Sequence, residues 1–568
     1  MRNKILLLFL VCIFSLYACV KLDLNPLSEG SSANWYSTTD ELEMSVADLY
    51  STSFWAAYSP VDFFWNTDDF SYRQVLTDIT NGTVNGQSSV VTSAWDNAYK
   101  CIARANQILS SIGNAKNNVT QEKLNKFAAN AKFARAAQYS KLIFLFGDVP
   151  YYTKVLNIDE AFSLSRTDKK AILDSIYADY DYAAQYLPES YGTKEYKFAT
   201  KGAALAMKAR IALYMGDYLI AKNTAKECID LGVYELFPNY STLFLNKTKN
   251  SVETIFCVPY SVSLNIYFPL SPKSYIVRTA SGFGSATPSW DLLCSYLCAD
   301  GLTIDKSPLF NPREPFKNRD PRCTATIVEF GARWLGYIYS CHPDTLKVLN
   351  YTTGAMVPNK QSRAVDTYAT YNGIMLRKFI DEDWLDLKAD NDNIIIRYAD
   401  VLLIYAEAKI ELGEIDQTVL DAINQVRARA YGVNSTATSS YPVITTTSQS
   451  ELRKLLRIER RMEFAMENTL RYNDIIRWKL AEKVLNVPDY GILDVADLRE
   501  KVVNAGLWFF PQTPSIDENG SPDFTSMYNA GLIKLLSQRK FDVTKQYLFP
   551  IPTSEIVINS NITQNPGY

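Results

Sequence analysis

The chain has 568 residues, with 58 Lys and Arg against 61 Asp and Glu, one histidine, 37 tyrosines, 27 phenylalanines and 9 tryptophans. A formal net charge of −3 and no basic run give no reason to expect a nucleic-acid partner. The lone histidine, His342, is followed by Pro343; this argues against a Ser/His/Asp or Cys/His triad and removes the usual two- and three-histidine metal centres.

At the amino end, Arg2 and Lys4 precede an apolar run from Ile5 to Ala18. That run is shorter than the about 20 residues a spanning helix needs, but it has the length of a secretory signal core. Leu16-Tyr17-Ala18-Cys19 resembles a bacterial lipobox, which makes Cys19 the expected lipid-bearing first residue after a signal of residues 1–18. Tyr17 departs from the small residue usual there, and an ordinary cleaved signal with an incidental cysteine is the alternative. The seven cysteines beyond Cys19 are scattered and odd in number, which does not read as a disulfide framework. Cys294 and Cys298, four apart, lack the further ligands a zinc site needs.

Residues 51–74, STSFWAAYSPVDFFWNTDDFSYRQ, crowd Trp55, Tyr58, Phe63, Phe64, Trp65, Phe70 and Tyr72 beside Asn66, Asp68, Asp69 and Arg73. Exposed aromatic faces can cover the apolar face of a sugar ring while planar polar groups bond its hydroxyls, so this is the first candidate ligand surface. Trp65, followed by polar residues in a turn-like segment, is its best member, whereas Trp55 reads equally well as core.

Helical period follows. Trp95, Tyr99, Ile102, Asn106, Leu109 and Gly113 form one stripe, and a second helix is expected over about 122–146. FLFGD at 144–148, LYMGD at 213–217 and IELGE at 410–414 each end an apolar helix on Gly followed by an acid. In the second, Ala209, Gly216, Tyr218, Ala221, Ala225 and Cys228 sit where a tetratricopeptide-like helix pair needs small or aromatic residues. The third keeps Ala406, Gly413 and Ala422, while Pro150 denies the first an immediate partner helix. The expected fold is mainly α, a tetratricopeptide-like helix-pair scaffold over about 38–231 and 394–483. Long irregular loop insertions interrupt it at about 232–393 and 484–568, all within one domain from residue 19.

The 232–393 region supplies the remaining candidates: Trp334 and Tyr337 in ARWLGYIYS, then Tyr275 and Phe283 near the SGFGS loop. That loop lacks the strand, helix and lysine of a phosphate-binding loop. Trp290 reads as buried. Glu463, Glu467 and Arg471 at four-residue spacing suggest an ion-pair ladder on one helix rather than a glycosidase pair, and Arg397 with Asp400 suggests a buried pair. No EF-type calcium loop appears, and no cofactor or metal is expected.

The tail YLFPIPTSEIVINSNITQNPGY closely resembles the ending of the starch-utilisation-system D family, SusD/RagB. Stretches LDLNP (22–26), TTDELEMSVADLY (38–50), RANQIL (104–109), LFGDVP (145–150), DPR (320–322), RYADVLLIYAEA (397–408) and ERRMEFAMENTLRYNDIIRW (459–478) follow the family's order. The resemblance implies a lipid-anchored, non-catalytic glycan-binding protein on the outer membrane. Such a protein serves a SusC-like TonB-dependent transporter, with loops on a helical scaffold forming the ligand surface. A peptide receptor of the family's other branch, an α-helical glycoside hydrolase and a scaffold without a ligand are the alternatives.

Overall fold

A computed structural model describes residues 35–55, 64–73, 76–192, 198–266, 272–382 and 388–568. Cys19, Tyr58 and Phe63 lie outside the described residues, and Phe64 and Tyr72 are described in backbone only. No described helix is long and apolar enough to cross a membrane.

The scaffold is a run of helices, each packed on an earlier one. They are α1 (Thr39–Asp48), α2 (Ser89–Ser111), α3 (Gln121–Phe146), α4 (Lys169–Tyr186), α5 (Lys201–Met215) and α6 (Tyr218–Asp230). Thr38 and Glu41 start α1 with a reciprocal capping box. Gly216 stops α5 at φ 81°, and the Asp217 carboxylate accepts from the Ile220 amide to start α6. The same device joins α8 (Tyr398–Leu412) to α9 (Gln417–Ala430), with Gly413 at φ 73° and Asp416 as the cap. After Gly147 the pattern differs. Asp148 accepts from the Lys169 amide at 3.0 Å across the intervening Pro150 segment, adding to the cap that Asp168 itself makes at the start of α4.

The α2–α3, α3–α4, α5–α6, α6–α8 and α8–α9 pairs enclose one core built on small residues such as Ala134, Ala137, Ala206, Ala209 and Ala406, each fully buried. A second core gathers the loop-rich segments around Trp290, Tyr296, Phe509, Phe510 and Phe524. The sheet content of the two cores is short antiparallel pairs. β1 (Phe70–Tyr72) pairs with β3 (Ala286–Pro288), β2 (Thr254–Val258) with β4 (Asn393–Arg397), and β5 (Pro488–Gly491) with β6 (Lys534–Gln538). Helix α7 (Trp290–Ser295) follows β3 directly.

The carboxyl end folds back on the first helices. The Phe549 amide donates to the Leu145 carbonyl at 2.7 Å, and Asn565 Nδ2 donates to the Phe146 carbonyl at 2.9 Å. Both acceptors belong to the last turn of α3, whose carbonyls have no partner within the helix. Arg166 also donates to the Thr563 carbonyl at 3.0 Å.

Between the two cores runs a buried ionic seam. Helix α10 (Gln449–Glu463) ends where the ladder reading needs it to continue, and α11 (Leu470–Arg477) starts only after a turn through Met466 and Asn468 at positive φ. The ladder expected for Glu463, Glu467 and Arg471 is therefore absent. Glu463 pairs with Arg322, Arg397 and Arg429, Glu467 with Arg397 and Lys378, and Arg471 with Asp68. The Arg397–Asp400 pair is likewise corrected: Asp400 lies between Arg210 and Arg460, both at 2.8 Å. Burying so many ions stabilises only while each has its counter-charge, because desolvation is otherwise uncompensated.

Candidate functional site

The most exposed aromatic groups near the sequence-predicted cluster stand on a loop and a turn. Residues 273–285 fold back on themselves: the Gly284 amide donates to the Ile276 carbonyl at 3.0 Å and the Ser285 amide to the Ser274 carbonyl at 2.9 Å. Ser281 and Gly284 take φ 69° and 51° to close the loop. At Gly282 a Cβ would stand 2.1 Å from the Ile276 carbonyl oxygen, so only glycine fits. Gly282→Ala is expected to open this loop and to weaken any ligand bound on it at least tenfold. The thermal midpoint should move by no more than a few degrees; an unchanged affinity by calorimetry would separate the loop from the site.

The loop presents Phe283, 47% exposed, and the turn after Asp366 presents Tyr368, 59% exposed. Arg73, just past β1, ties the two together, donating to the Phe283 carbonyl at 3.5 Å and to the Tyr368 carbonyl. The Arg73 and Arg278 guanidinium groups each lie 5.5 Å from the Tyr368 ring centre, and Arg278 Nε bonds Asp366 at 2.7 Å. Lys273 Nζ is 5.7 Å from the Phe283 ring. Below this shelf, half-buried Trp65 stacks almost parallel on Phe70 at 5.5 Å and donates its indole N–H to the Tyr275 hydroxyl at 2.9 Å.

The structure thus brings Trp65, Arg73, Tyr275 and Phe283 together, but assigns them different tasks. Tyr275 is 1% exposed and supports Trp65 from beneath, so it is corrected from ligand contact to underlying support. Asn66, Asp68 and Asp69 are also corrected: all are buried, with both acids turned inward to Arg461 and Arg471. Trp55 is core, its indole N–H on the Leu49 carbonyl and its ring edge-on to Phe256 at 4.9 Å. Trp334 is buried beneath Arg377, while Tyr337, opposite it in a two-residue hairpin, is half-buried. Tyr368, Asp366, Arg278 and Lys273 escaped the sequence reading; the signal available was aromatic spacing in AVDTYATYNG, which no periodicity distinguishes from an ordinary loop.

Two features bear on catalysis. His342 is edge-on to Trp508 at 5.1 Å, and its Nδ1 accepts from the Asp344 amide at 3.2 Å. Burial lowers its pKa, and its partners organise a turn. The buried acids of α10 are paired with arginines, and Asp68 and Asp69 share Arg461. No group of acidic, cysteine and histidine side chains able to hold a metal occurs among the described residues. A separate cleft of about 680 Å3, between α2 and α12 (Thr553–Ile558), contains none of the shelf residues.

Residues 260–568 match the family profile described as the SusD family. The chain belongs to the SusD family. Residues 22–213 match a second profile, described as starch-binding associating with outer membrane. SusD-like protein P2 of Formosa agariphila is 26% identical over the whole of both chains. A crystal structure of a SusD-like carbohydrate binding protein from Bacteroides fragilis is 28% identical at a TM-score of 0.75, covering 93% of this chain and 99% of its own. A laminarin binding SusD-like protein shares the fold at a TM-score of 0.59 and 22% identity, over 94% of this chain and 100% of its own. The mainly helical scaffold is thus shared with both solved structures.

Proposed function

We propose that this SusD-family protein is a cell-surface glycan-binding lipoprotein, held at the outer membrane through Cys19, that captures oligo- or polysaccharide without chemical change. It passes the captured chain to a SusC-like TonB-dependent transporter. The observation that carries this reading is the pair of exposed rings, Phe283 and Tyr368, fixed by Arg73 and flanked by Arg278 and Asp366. An aromatic face covers the C–H face of a pyranose, and the guanidinium and carboxylate groups beside it bond hydroxyls bidentately. The carbohydrate-binding description of the 28% identical relative supports the ligand class, and the profile associating with the outer membrane supports the location.

The test is calorimetric titration of full-length protein with a panel of polysaccharides, oligosaccharides and oligopeptides, with Phe283→Ala and Tyr368→Ala alongside. Each substitution is expected to weaken glycan binding about 5- to 30-fold, the loss typical of a ring at the centre of a contact surface. Both rings are about half in water, so the thermal midpoint should stay within a few degrees. Binding of peptides alone would move the protein to the peptide-uptake branch. Sustained release of reducing sugar would overturn the non-catalytic reading.

A further inference from the structure

Directly beneath the shelf, four carboxyl groups meet only three guanidinium groups. Asp68, Asp69, Asp291 and Asp489 and Arg461, Arg471 and Arg539 are all 7% exposed or less. Asp68 is fully satisfied, by Arg471 at 2.9 and 2.7 Å and by Arg461 at 2.9 Å. Arg461 also reaches Asp69 at 2.8 Å. Arg539 alone remains for the other two, 3.9 Å from Asp291 and 3.5 Å from Asp489.

Among the described residues, the surroundings add no further cation. From β5, Tyr490 faces Asp291, and from β1, Ser71 donates to Asp489 at 2.6 Å. Cys294 shares helix α7 with Asp291, and Arg319 beside it is committed to the Leu293, Tyr296 and Pro315 carbonyls. Asp523, on the short strand packed against α7, is exposed and accepts from the Thr525 amide. Three cations among four acids in so dry a place favour keeping one carboxyl neutral. Burial raises Asp291 to about 7, Arg539 offsetting only part of it, and raises Asp489 and, against the pull of Arg461, Asp69 as well. Burial acts on Asp68 too, but Arg461 and Arg471 outweigh it and hold that carboxyl well below the usual range.

We infer that Asp291 and Asp489 share one proton in the folded protein, and that losing it as pH rises loosens β1 and the ligand shelf that β1 carries. The mechanical connection is direct. Arg539 donates to the Phe70 carbonyl at 3.2 Å, Ser71 donates to Asp489, and Ser289 donates to the Asp68 carbonyl. Trp65 stacks on Phe70, and Arg73 follows β1. The sign follows from the raised native carboxyl. The stability it contributes is complete below the unfolded value of about 3.9, falls as pH rises, and is gone above about 7.

The effect on binding rests on the shelf being the ligand surface, but the cluster can be tested without ligand. Hydrogen exchange at the Phe70–Arg73 amides would be followed in full-length protein from pH 5 to 8, corrected for intrinsic rates, in the native sequence, Asp291→Asn and Asp489→Asn. Protection in the native sequence, relative to either variant, should fall by up to about tenfold per pH unit and level off near pH 7. Should one variant fail to fold, the other carries the comparison. Identical pH profiles in the native sequence and the folded variants would overturn the proposal, whatever the glycan titrations show.

Discussion

Arg397→Ala is expected to destabilise the protein by about 3–5 kcal/mol, the range for removing one partner of a buried ionic cluster. Arg397 is 1% exposed and reaches Glu253 and Glu463 at 2.6 Å and Glu467 at 2.7 Å. Truncation leaves three buried carboxylates to Arg429, Lys378 and Arg322, and Arg322 is already shared with Asp320 and Glu459. Acid should narrow the gap between the two proteins. Burial alone would raise the Glu463 carboxyl, but Arg429, Arg397 and Arg322 together hold it far below the ordinary range. Its contribution is therefore present above the unfolded value of about 4.3 and is lost as pH falls beneath it. Lys226→Ala, breaking an exposed i,i+4 pair with Asp230, is the control and should cost under about 0.5 kcal/mol. Chemical denaturation at pH 7 and pH 4 measures both; equal small effects would mean that the seam contributes nothing beyond a surface pair.

Trp290→Ala should cost a comparable amount, about 3–5 kcal/mol, by a different route. The indole is 1% exposed, meets Phe509, Phe510 and Phe524 at 5.0 to 5.8 Å, and donates to the Asn372 carbonyl at 2.8 Å. Its removal leaves a cavity in the second core and a buried carbonyl without that donor. Because Trp290 opens α7 immediately after β3, the loss is transmitted to the β1–β3 pair and so to the shelf. Denaturation should show reduced stability, and the glycan titration reduced affinity in whatever protein remains folded. Weakened binding at unchanged stability would contradict this account.

How much was legible in the chain depends on the range of the interaction. Helix boundaries are local: Gly216-Asp217 and Gly413 with Asp416 stop one helix and start the next within a few residues, and periodicity located them. The aromatic cluster at 51–74 was also visible, and Trp65 and Arg73 do lie at the shelf. Asp68 and Asp69 were misread because an acidic doublet in a turn looks like solvated surface. Their partners, Arg461 and Arg471, stand 392 and 403 positions away. The ladder failed for the opposite reason: its spacing is right for a helix, but α10 stops at Glu463. Tyr368 was missed because exposure in a long loop is decided by what folds over it, which composition does not encode.

The return of the carboxyl end to α3 has a consequence for biosynthesis. A ribosome delivers Phe146 long before Asn565, 419 positions later, yet the second donates to the carbonyl of the first. Until those last residues emerge, the early helices can assemble but cannot close, and long-range closure of this kind is slow. A chain lacking residues 549–565 would leave the Leu145 and Phe146 carbonyls at the end of α3 without these two donors.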